Sequence, residues 1–177
     1  MSDLRNWLEE LSDKIPGYSG YAARERRRDV DKLHREHLAD RLRAAKQPLT
    51  DVLRELTSGG RLMEVGPVDR VLKKIDHAEN RVRFAAYGYS GLFDAVKIEE
   101  AQLNSIYQFD LALVDRVEEI ERQAGALAAS ATSSEDLKRA ASELERALDE
   151  MNRAFDERTR AISDFSQGAP GASLFNS

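Results

Sequence analysis

Three histidines, His34, His37 and His77, are the first residues to consider for chemistry. Imidazole is the side chain best suited to metal ligation and to proton transfer near neutral pH. Asp31 precedes His34 by three residues, which puts carboxylate and imidazole on one face of a helix. Ferritin-like di-metal bundles place a Glu-x-x-His on each of two helices and a Glu on each of two others. Asp31, His34 and His37 are therefore the candidate metal ligands. The second copy of the motif is missing, because Lys74 stands three residues before His77. His34-Arg-Glu-His37 is also not the His-Glu-x-x-His of metalloproteases. The plainer expectation is that the histidines lie on the surface or edge of a helical bundle, with no metal and no cofactor.

Two charged residues interrupt otherwise apolar stripes. Leu103, Ile106, Asp110, Leu113, Val117, Ile120, Ala124 and Leu127 alternate in steps of three and four, and Asp110 is the polar member. Leu137, Ala141, Leu144, Leu148, Met151, Phe155, Arg158, Ile162 and Phe165 alternate in the same way, with Arg158 as the exception. A carboxylate at a core position is costly unless paired. Asp110 is expected to pair with an arginine from the basic helix and fix register, and Arg158 is also a candidate partner; a general base with a raised pKa is the catalytic alternative. On the structural reading, Asp110→Leu should hold or raise the melting temperature while loosening the oligomer or the register.

The tetrapeptide Gly-Tyr-Ser-Gly occurs at 17–20 and again at 88–91, each copy flanked by a further tyrosine. Neither is the Gly-x-Ser-x-Gly nucleophile elbow. Tyr18, Tyr21, Tyr87 and Tyr89 could line one aromatic site if the two turns meet. Otherwise the glycines permit tight turns and the tyrosines cap the core with their hydroxyls in water. Trp7 and the run Arg26, Arg27, Arg28 complete the candidate partner or ligand residues. Asp29 and Asp31 directly follow the run, which favours a solvated helix face over a phosphate patch.

Helices must position these residues. The first is expected over 1–14, with Ser2 as N-cap and Leu4, Trp7, Leu8 and Leu11 on one stripe; Pro16 and Gly17 end it. Its polar face carries Asp3, Glu9, Glu10 and Asp13, so docking on the bundle is expected rather than binding to anionic lipid. A basic helix over 21–58 carries a seam at Leu38, Leu42, Ala45, Leu49, Val52 and Leu56, with a kink or short break at Pro48. A helix over 67–88 follows, with Pro67 in its first turn. Two long helices over 92–129 and 134–165, joined by a short linker, make an antiparallel hairpin. Residues 166–177 read as a flexible tail. The fold class is all-α: a single domain over 1–165, an elongated four- to five-helix bundle with a long coiled-coil-like C-terminal hairpin.

Composition narrows the function. The 177 residues include no cysteine, which removes thiol nucleophiles, disulfides and thiolate metal sites. Net charge is -5 with a pI near 5.4, and nucleic-acid binding is not expected. Residues 22–47 hold nine Lys/Arg against five Asp/Glu, and residues 92–165 hold nine against seventeen. These halves should attract each other within a bundle or between copies. No uncharged apolar run is long enough to span a membrane and no signal peptide is readable, so the protein is expected to be cytoplasmic.

Ile15-Pro-Gly-Tyr-Ser-Gly-Tyr21, the arginines 26–28 and Ala85-Ala-Tyr-Gly-Tyr-Ser-Gly-Leu-Phe-Asp-Ala95 resemble a group of uncharacterised bacterial helical proteins, over residues 15–120. The resemblance implies no activity and no catalytic residues. It implies company with membrane-scaffold proteins of the stomatin/prohibitin type, hence an accessory role. The expected function is a non-catalytic helical scaffold or interaction protein, not an enzyme, that forms a homo-oligomer or binds a protein partner. A metal-binding four-helix-bundle carrier or oxidoreductase, and a membrane-associated stress accessory, are the alternatives.

Overall fold

The computed structural model describes residues 2–21, 23, 26–85 and 98–166. The protein is all-α: the described residues form five helices and no strand. They are α1 (Ser2–Lys14), α2 (Arg27–Ser58), α3 (Leu62–Arg83), α4 (Glu100–Ala129) and α5 (Ser134–Ser166). None is long and apolar enough to cross a membrane. The chain divides into two compact units where periodicity alone reads as one domain: Met1–His37, Arg83–Asp115 and Arg153–Ser177 form the first, and Leu38–Val82 with Arg116–Asn152 the second. A heptad seam runs on along each long helix and carries no mark of that division.

Local chemistry sets the helix ends, and several differ from expectation. α1 stops at Pro16-Gly17, where Gly17 takes φ 81°, and the Tyr18 N–H donates to the Ile15 carbonyl at 3.1 Å. α2 begins at Arg27 rather than at 21. The reason is that the backbone of Tyr21 is engaged elsewhere: its N–H donates to the Tyr107 hydroxyl and its carbonyl accepts from Arg27 Nε. No break occurs at Pro48; α2 is helical throughout Arg27–Ser58. Proline removes one backbone hydrogen bond, while Ala45, Leu49, Val52 and Leu56 stay buried on one stripe. α3 starts at Leu62, not 67, because Gly59 and Gly60 close α2 with the Arg61 N–H on the Leu56 carbonyl, and Arg61 then accepts from the Glu64 N–H. It ends at Arg83, short of the expected 88.

α4 starts at Glu100, later than the expected 92, after a reach-back in which Gln102 Oε1 accepts the Glu99 N–H at 3.1 Å. α5 is capped by Ser133, whose hydroxyl accepts the Asp136 N–H at 3.3 Å.

In the second unit, α4 and α5 lie antiparallel about the turn at 130–133, with Arg116 bound to Glu150. Their inner faces bury Val117, Ile120 and Leu127 against Leu137, Leu144 and Leu148. Each such side chain contributes about 1.5–3 kcal/mol on leaving water. Charge asymmetry is used inside this unit: Arg41 of α2 bonds Glu118 and Glu121 of α4. Lys46 bonds Asp76 and Glu79 of α3.

In the first unit, the opening half of α4 is enclosed on every side. Ser105 to Leu111 are all buried, so this segment is a central rod rather than a two-faced helix. Four polar residues lie on it, Ser105, Tyr107, Gln108 and Asp110, and they need partners.

Candidate functional site

Asp110 sits at the centre of a buried polar cluster in the first unit. Its Oδ1 accepts from Arg158 Nε of α5 at 2.6 Å. Its Oδ2 accepts from the Tyr21 hydroxyl at 2.6 Å and from the Tyr18 hydroxyl at 3.2 Å. Arg158 also donates from Nη2 to Asp31 Oδ1 at 3.0 Å and to the Tyr21 hydroxyl at 3.1 Å. Asp31 Oδ2 accepts from Arg35 Nε at 2.8 Å, and Arg35 donates onward to the Arg83 carbonyl. His34 closes the cluster with Nε2 at 3.1 Å from the Asp110 carbonyl oxygen. Asp110, Arg158 and His34 have no exposure at all, and Asp31 and Arg35 have very little.

Each backbone element delivers its share for a local reason. Residues 15–21 form a non-helical strap between α1 and α2. Gly20 lets it lie close: φ is 72°, and a Cβ there would come within 2.6 Å of Leu8 Cδ1 and 2.7 Å of the Tyr107 hydroxyl. The strap's rings stack as a set, with Tyr18 edge-on to Tyr21 at 6.1 Å and Tyr21 tilted on Tyr107 at 5.6 Å. On α2, Asp31, His34 and Arg35 occupy one face at i, i+3 and i+4. On α4, Tyr107 and Asp110 are one turn apart, and α5 contributes Arg158.

The electrostatics balance. Asp31 and Asp110 carry two negative charges, and Arg35 and Arg158 carry two positive ones. Burial pushes the Asp110 carboxyl up, but Arg158 and the Tyr21 hydroxyl outweigh it and hold the group below its ordinary value. It is therefore an ionised acceptor, not a general base with a raised pKa. Burial raises the Tyr18 and Tyr21 hydroxyls far above their ordinary value, with Tyr21 raising Tyr18 further and Asp110 raising both, so both stay protonated donors. Burial lowers His34, Asp110 opposes that fall and Arg158 adds to it. The ring is uncharged at neutral pH.

The candidate residues fare differently. Asp110 and Arg158 come together as an ion pair. Tyr18 and Tyr21, considered as a ligand surface, have their hydroxyls on Asp110 and are buried, so they are not rims with hydroxyls in water. Tyr87 and Tyr89 lie outside the described residues. The arginine run divides: Arg27 is buried with Nε on the Tyr21 carbonyl, while Arg26 and Arg28 are exposed. Trp7 is half-buried on α1.

His34 is in the interior, contrary to the surface position expected, because Asp110 and Asp31 supply polar surroundings at that depth. His37 is half-buried and His77 exposed. Asp31 and His34 do meet, but both Asp31 oxygens accept from guanidinium groups, and His37 is not part of the cluster. Among the described residues no group of three or more His, Asp or Glu is placed to hold a metal ion.

Arg35 escapes a reading by stripes. It follows Asp31 by four residues, and that spacing was the available signal. No protein-family model, curated protein or solved structure matches this chain.

Proposed function

We propose that the protein is a non-catalytic helical interaction protein that associates with itself or with a protein partner through its outward helical faces. One observation carries this reading. All four carboxylate oxygens of Asp31 and Asp110 accept hydrogen bonds from side chains of the same chain. The residues with the most chemical potential are thus spent on holding α2, α4, α5 and the strap together, and none presents a free oxygen to a substrate. Catalytic carboxylates need geometry open to a reacting atom.

The second unit offers a contact surface. Leu62 and Met63, adjacent at the start of α3, are 66% and 89% exposed. Neighbouring exposed apolar side chains of this size favour a protein contact. Arg61 beside them is anchored by a bond from its guanidinium to the Ala131 carbonyl, so the pair is presented on a fixed turn.

Sedimentation equilibrium over a concentration series tests the proposal. The expected result is a mass above the 19.9 kDa of one chain, reduced by Met63→Asp with unchanged helical content. Should the chain stay monomeric at all concentrations and, immobilised, retain no protein from an extract of its host, the proposal fails.

A further inference from the structure

One ring nitrogen of His34 has its bonding unfinished. Its Nε2 faces a backbone carbonyl oxygen, which only accepts, so Nε2 carries the ring proton. Nδ1 of the uncharged ring is then a bare acceptor. It is buried and makes no hydrogen bond, and Asp110 Oδ1, another acceptor, lies 3.7 Å away. Two lone pairs face each other at the point where Arg158 already holds that oxygen.

A proton added at Nδ1 changes both sides of this contact. The imidazolium N–H becomes a donor aimed at Oδ1, and the balanced cluster of two carboxylates and two guanidiniums gains a positive charge. Asp31 on α2 and Asp110 on α4 attract that charge; Arg158 on α5 repels it; the Tyr21 hydroxyl of the strap shares Asp110 with it. An Asp110 neutralised by imidazolium is a weaker acceptor for the two tyrosine hydroxyls on its other oxygen. The helices keep their apolar stripes whatever happens there. The strap is non-helical, and its polar hold on α4 is the Tyr18 and Tyr21 hydroxyls and the Tyr21 N–H.

We propose that His34 is a proton-operated latch on the strap at residues 15–21: with Nδ1 bare the strap is held on Asp110, and a proton at Nδ1 claims Asp110 and releases it. The step takes up one proton from solvent and breaks no covalent bond. It is independent of what the protein binds.

The sign follows from the environment. Burial holds the closed-state pKa of His34 below the ordinary 6.5. The open state binds the proton more readily, so closure is complete above that value and is lost as pH falls below it. One proton corresponds to at most about a tenfold change in the opening equilibrium per pH unit.

Hydrogen exchange, corrected for intrinsic rate, tests the latch on the full chain at pH 7.5, 6.5 and 5.5. Amides of residues 15–21 should lose up to about tenfold of their protection over the last pH unit, while those of α4 and α5 keep theirs. His34→Gln retains a donor for the Asp110 carbonyl but cannot take the charge, and should flatten the response; His37→Gln and His77→Gln should leave it intact. A response in His34→Gln equal to wild type, no response in wild type, or equal loss in α4 and α5 overturns the latch. Nitrogen NMR of the wild-type imidazoles covers the case where His34→Gln does not fold. Protonation of His34 Nδ1 in step with strap opening supports the proposal, and strap opening with that atom still bare overturns it.

Discussion

Replacing Asp110 by leucine tests the structural role of the cluster most severely. Leucine is close in size, so the change removes charge with little change of volume. It strips Arg158 Nε of its acceptor and leaves the Tyr21 and Tyr18 hydroxyls without theirs, all at a point with no exposure. Breaking a buried ion pair by removing one partner costs about 3–5 kcal/mol, because the remaining charge stays buried. Against a total stability of about 5–15 kcal/mol this is a large fraction. For a chain of this length it lowers the melting temperature by about 6–20 °C.

This reverses what sequence alone suggests, that Asp110→Leu would hold or raise the melting temperature. The difference is Arg158: with no exposure, it cannot swing out to water when its partner goes. Trp7 is the only tryptophan and lies in the same unit, so its fluorescence in a urea titration reports on this part of the chain. A shift of less than about 1 kcal/mol would refute the reasoning, since no buried pair of this geometry could be so cheap to break.

Tyr21→Phe should cost about 1.5–3 kcal/mol by the same titration, because its hydroxyl serves two charged groups. Tyr18→Phe, whose bond to Asp110 is 3.2 Å rather than 2.6 Å, should cost less, and the reverse order would contradict the assigned geometry. Gly20→Ala should lose about 2–4 kcal/mol, from a left-handed backbone together with a methyl group pressed between Leu8 and the Tyr107 hydroxyl. Gly60→Ala shares the left-handed backbone but meets nothing within 4 Å, and should cost about 1 kcal/mol. Equal losses at the two glycines would show that the strap is not closely seated.

The helices were legible because their apolar residues recur in steps of three and four, and Asp110 and Arg158 were legible as the breaks in that rhythm. Arg35 was not, and Asp31 and His34 were legible as a pair on one helix face but not as buried residues. Stepping back from Leu42 and Leu38 by four and three reaches Arg35 and then Asp31, so α2 keeps its buried face while its residues turn polar. A reading that assigns charge to solvent places the seam on Val30 and Leu33 instead, and Leu33 proves only half-buried. The start of α2 was misplaced for a related reason. Tyr21 has ordinary helix propensity, and only the distant Tyr107 and the side chain of Arg27 show why its backbone is committed elsewhere. Pro48 errs in the opposite direction, since a local penalty of about 3 kcal/mol yields to the burial of residues on both sides.

The central claim is that Asp110 and Arg158 act on each other and on the fold. A double-mutant cycle of Asp110→Asn and Arg158→Met, followed by Trp7 fluorescence in urea, measures that directly. The account predicts that the two single losses add to more than the loss in the double variant, with a coupling of about 2–3 kcal/mol. Additive losses, with coupling below about 0.5 kcal/mol, would contradict it.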